Sequence, residues 1–133
     1  MAALEGIGGA LVARRLTETD RQQLLEAHEA CAGKVADADA YCYANERSHR
    51  VLYAACHNGY LVEQAGQLRD RLKPYRRLQL RARSRVVASL SEHQAVVDAV
   101  LAGDSERALR AHILIQGDRL SDFIAMFSAA AVA

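Results

Sequence analysis

The sequence predicts an all-α fold, an antiparallel bundle of about six helices. Three observations carry this. The chain of 133 residues has a single proline and is rich in Ala, Leu, Arg and Glu, the residue types that cost least in a helix. Apolar residues recur at steps of three and four, and no segment alternates in the strand manner. Stop and start signals recur along the chain, among them Thr17, Asn58-Gly59 and Gly103-Asp104.

The first helix is expected over Ala2 to Arg15, where Gly6, Gly8 and Gly9 weaken it and call for close packing against another backbone. Thr17 caps the second helix, with Asp20 at the third position of a capping box, and Gly33 ends it. The third spans Asp37 to His57. Tyr41, Asn45, Ser48, His49, Leu52 and Cys56 share one of its faces. A fourth is expected over Tyr60 to Arg85, interrupted at Pro74 with a kink near Leu72. Ser89 or Ser91 caps the fifth, which runs to Ala102 with an inner stripe of His93, Val96, Val97, Val100 and Leu101. Asp104 caps the sixth, which runs to Phe127 and carries Ala108, His112, Ile115, Arg119 and Phe123.

The length fits one domain over residues 1–133, large enough to fold without a disulfide or structural metal. A formal net charge of +1 argues against a nucleic-acid surface, and no run is apolar enough to span a membrane. Cys42 and Cys56 fall on one helix, about 21 Å apart at 1.5 Å per residue, too far to bridge. With Cys31 they read as buried, reduced thiols of a cytoplasmic protein.

The informative feature is a set of three histidines. His49, His93 and His112 each lie on the apolar stripe of a different helix, and Asn45 lies one turn before His49. Imidazole is the commonest metal ligand among side chains. An Asn and a His at i, i+4 project side by side. Together the four offer three nitrogens and one oxygen, a set suited to zinc, nickel, iron or copper, with open positions for a ligand. Hydrogen-bonded core histidines are the plain alternative. His28 has no evident partner and reads as structural; His57 reads as a helix C-terminal group in a dipole or capping role. Glu46 and Glu92 adjoin the donors but point away, and are expected in solvent rather than as bases to a metal-bound water. Six arginines between Arg71 and Arg85, namely Arg71, Arg76, Arg77, Arg81, Arg83 and Arg85, read as a solvated face from which one or two reach inward to an anion.

The motifs carry a resemblance as well. Leu4-Glu5-Gly6 and Ala13-Arg14-Arg15-Leu16-Thr17 open the chain. Asn45-x-x-x-His49 and Asn58-Gly59-Tyr60-Leu61 follow. Ser91-Glu92-His93, Ala99 and Gly103-Asp104-x-x-x-Ala108-x-x-x-His112 close the series. In that order and spacing they resemble the FCD-type (FadR C-terminal) effector-binding domain of GntR-family transcriptional regulators, over about residues 3 to 127.

The resemblance implies a homodimeric, ligand-sensing regulatory domain that is not an enzyme. It implies a divalent metal, zinc or nickel, held by Asn45, His49, His93 and His112, and a small carboxylate effector that reaches the metal. It also implies that DNA is contacted only through a winged-helix domain, which is expected to be absent from this chain. Two residues depart from the family pattern: Asn45 stands where aspartate is common, and Ser48 where phenylalanine usually precedes the histidine. A weaker metal site and looser packing behind His49 are expected from these. A small metal-dependent enzyme on the same bundle, or a structural dimerisation module with a vestigial site, are the other readings the residues leave open.

Overall fold

A computed structural model describes residues 1–82, 84–114 and 128 of the chain. The described residues form helices and turns, with no strand among them. Five complete helices, α1 (Ala2–Arg15), α2 (Glu18–Ala32), α3 (Ala38–Ala54), α4 (Gly59–Leu80) and α5 (Arg85–Leu101), are followed by α6, described over residues 105–114. The expected course of α6 to Phe127, with Ile115, Arg119 and Phe123, lies outside the described residues, as does Arg83.

Local chemistry fixes most of the boundaries. The Thr17 side chain accepts from Asp20 N and the Asp20 carboxylate accepts from Thr17 N, so the expected capping box opens α2. Asp37 accepts from the amides of Asp39 and Ala40 at the start of α3. Asn58 accepts from Leu61 N at the start of α4. Gly103 at φ 71° ends α5, and Asp104 accepts from Arg107 N at 2.9 Å to open α6.

The join between α4 and α5 differs from expectation. Pro74 lies inside α4 without dividing it, and the helix ends at Leu80 rather than Arg85. The turn is made by Ser84 in the left-handed region (φ 65°), and α5 starts at Arg85. Neither Ser89 nor Ser91 caps it. Ser89 is 1% exposed, and its hydroxyl oxygen accepts from Tyr41 OH at 3.1 Å.

α3 is the central element, packed on α1, α2 and α4, while α5 packs on α1, α2 and α4. Two apolar clusters form the core. One gathers Val12, Leu24, Leu52, Val96, Val97 and Val100; the other gathers Cys31, Tyr41, Cys42, Leu80 and Val86. Along α3 the polar residues Asn45, Ser48 and His49 fall between members of the two clusters. Ser89 and His93 do the same along α5. A buried polar layer therefore crosses the bundle between two dry regions. All three cysteines are buried and free, and burial pushes the Cys31 thiol up to about 11.

Candidate functional site

Asn45, His49, His93 and His112 are each 3–5% exposed, so the helices do turn all four predicted donors inward. The His49 and His93 rings meet edge to face with centroids 5.3 Å apart. That is close to the roughly 5 Å at which two imidazoles share one cation through bonds of about 2.1 Å. His112 Nδ1 lies 3.0 Å from the carbonyl oxygen of Ala108 on its own helix. A carbonyl only accepts, so Nδ1 carries the proton and Nε2 is the lone-pair nitrogen. The ring lies against α1 at Gly9, where an added Cβ would fall 2.8 Å from His112 Cε1. This is the close approach the glycine-rich first helix requires.

His28 corrects the sequence reading. It is buried, its Nδ1 lies 2.8 Å from His93 Nδ1, and its Nε2 lies 2.6 Å from Gln94 Oε1. Its ring stacks on His93 at 5.0 Å. Ser48 has partners of its own: its hydroxyl lies 3.0 Å from His93 Nε2, and it bonds the Cys31 thiol. His57 sits beyond the end of α3 in the left-handed region (φ 50°). There it binds the Asp20 carboxylate at 2.7 Å.

Glu5, Arg69 and Tyr53, none of them expected, form the other half of the site. The Glu5 carboxylate is 1% exposed and accepts from Tyr53 OH and from Arg69 Nη1 at 3.3 Å. Arg76 Nη2 at 3.8 Å and His49 Nδ1 at 3.7 Å also face it, and His112 is near enough to act on its charge. Burial alone would raise the Glu5 pKa, but the charges of Arg76 and Arg69 and the Tyr53 hydrogen bond outweigh it and hold the carboxyl below its usual value. Burial, with the Glu5 charge, pushes the Tyr53 phenol up.

The arginine stretch divides. The Arg76 and Arg85 side chains are 12% and 11% exposed, whereas Arg77 and Arg81 bind Asp39 at the surface. A small opening of about 10 Å³, lined by Asn45, Arg76, Gln79, Leu80, Arg85 and Ser89, leads to the polar layer. A second, of about 20 Å³, reaches Asn45 past Arg69, Lys73 and Arg76. Glu46 and Glu92, expected in solvent, are largely covered at 17% and 18% side-chain exposure. Each faces cations: Glu46 meets Lys73 and Arg50, and Glu92 meets Arg85.

Among the described residues, no three His, Cys, Asp or Glu side chains stand ready to close on one ion. The donor set nonetheless fits a divalent cation by its chemistry. Asn45 Oδ1 is a buried carbonyl oxygen with no hydrogen-bond partner among the described residues, a state that native structures rarely tolerate. Two of the imidazoles approach at ligand-like separation, and His112 Nε2 is a lone-pair nitrogen.

No helix among the described residues is long and apolar enough to cross a membrane. A search of curated proteins returned no match. Residues 1–114, by contrast, match the FCD domain family, the regulatory, effector-binding domains of GntR-type regulators. The chain belongs to the FCD domain family.

Proposed function

We propose that residues 1–133 form one ligand-sensing domain in which Asn45, His49, His93 and His112 hold a divalent cation, zinc or nickel, and a small carboxylate effector completes its coordination. The observation that carries this reading is the buried Asn45 Oδ1, without a hydrogen-bond partner among the described residues, one helical turn from His49 and lining both openings. A bound cation supplies the charge that an anionic oxygen seeks, and all four donors are neutral, so that charge is not cancelled by its own ligands. Nearby chemistry supports a carboxylate. Arg69, Arg76 and Tyr53 already surround one, that of Glu5, and Arg76 and Arg85 line the first opening. The domain acts as a homodimer in a cytoplasmic regulator, with operator contacts left to a winged-helix domain.

The test is a thermal-shift panel of small mono- and dicarboxylates, with matched uncharged analogues, on metal-loaded and chelator-treated protein. At 100 times the dissociation constant, linkage gives about 2.7 kcal/mol, a rise in Tm on the order of 8–12 °C for a domain of this size. The chelated protein loses most of that shift. A loaded protein that responds to no acid, or a chelated one that responds equally, contradicts the proposal.

A further inference from the structure

A chain of hydrogen bonds ends on His93, and its polarity follows from which groups can only accept. It starts at Asp98, an exposed carboxylate one turn beyond Gln94 on α5. Gln94 Nε2 donates to Asp98 Oδ1 at 2.7 Å. The carboxylate holds the amide nitrogen on its own side, so Gln94 Oε1 is the atom that faces His28 Nε2 at 2.6 Å. An amide oxygen only accepts, and His28 Nε2 therefore carries a proton. A neutral imidazole carries one ring proton, which leaves Nδ1 as the bare nitrogen. Two bare nitrogens do not bond at 2.8 Å, so His93 Nδ1 donates to it. His93 Nε2 is left as the lone-pair nitrogen, with the Ser48 hydroxyl donating to it at 3.0 Å.

We propose, resting on the reading of His93 as a metal donor, that His28 is a positioning residue: backed by Gln94 and Asp98, it locks His93 in the tautomer whose Nε2 lone pair can be given to a cation. A metal-bound imidazole ordinarily donates its other N–H to an acceptor that fixes ring and tautomer; here the acceptor is a second histidine. The stacked rings, with planes 18° apart, hold the same geometry by packing. Ser48 keeps the lone pair hydrogen-bonded until a metal takes it, and its hydroxyl can then turn to the Cys31 thiol that it also contacts.

Nitrogen-15 NMR of metal-free protein reads the tautomer directly, and zinc titration by calorimetry reads its consequence. Wild type is expected to show the proton of His93 on Nδ1. His28→Leu is expected to move it to Nε2, where it donates to Ser48, and to weaken zinc binding 10- to 100-fold. His28→Asn, whose amide oxygen can accept in place of Nδ1, is expected to restore the Nδ1–H form and most of the affinity. A loss of packing alone would not move the proton, nor would the smaller Asn rescue it. If His28→Leu does not fold, the wild-type spectrum and the Asn variant still decide. A zinc-binding wild type with the His93 proton on Nε2, or a His28→Leu variant with unchanged tautomer and affinity, overturns the role of His28 alone. A wild type that carries the proton on Nδ1 yet binds no zinc overturns the metal reading and leaves the tautomer lock standing.

Discussion

Replacing Glu5 by Gln keeps the shape and the oxygen that accepts from Tyr53, but removes the charge facing Arg69 and Arg76. Glu5 and Arg69 are 1% and 4% exposed at the side chain, and Arg76 is 12% exposed, so water does little to replace the lost carboxylate. Breaking a buried ion pair from one side costs about 3–5 kcal/mol. The unfolding entropy of about 2.1 cal/mol/K per residue gives about 0.28 kcal/mol/K for a chain of this length, so Tm should fall by about 11–18 °C. Circular dichroism melts at neutral pH measure it. Arg69→Met in the Glu5→Gln background should recover part of the loss, because the two changes share one interaction and are not additive. The pH dependence has a definite sign. The folded carboxyl lies below its ordinary value of 4.5, so its contribution is complete above that value and is lost as pH falls through the lower, folded one. A fall in Tm under about 3 °C, or strict additivity with Arg69→Met, would refute the ion-pair account.

Three further substitutions separate local effects. Gly9→Ala drives a Cβ to 2.8 Å from the His112 ring and should cost about 1–3 kcal/mol in a chemical melt, with metal affinity falling as the ring is displaced. Gly59→Ala meets nothing within 4 Å and should instead stabilise by about 0.4–1 kcal/mol; equal effects at the two positions would show that packing against His112 is not what Gly9 serves. Thr17→Ala removes the α2 cap and should cost about 1 kcal/mol in the same assay, without altering metal binding.

Sequence-local features of the fold were the legible ones. The Thr17–Asp20 box, the Asn58-Gly59 break and the Gly103–Asp104 junction each depend on a few adjacent residues, and each forms as expected. The α4–α5 turn was not legible. A left-handed serine at position 84 carries no sequence signature, and Ser89 resembles a cap until Tyr41, from a distant helix, draws it inward. The burial of Asn45, His49, His93 and His112 was legible because each sits on an apolar stripe. The same rule could have found three others. His28 lies one turn from Leu24 and three residues from Cys31, both buried. Glu5 shares a stripe with Val12, and Arg69 follows Leu61 and Ala65 at steps of four. Charge made Glu5 and Arg69 look like surface residues, because burying either alone is prohibitive. Only the fold reveals that they are buried together.

The most direct test of the account is the metal content of the chain, purified without an immobilised-nickel step, loaded with zinc or nickel and desalted before elemental analysis. The account predicts one divalent ion per chain in the wild type and none in His93→Ala or His112→Ala, each verified as folded by circular dichroism. A wild type without bound metal, or equal metal in the wild type and both variants, would contradict it.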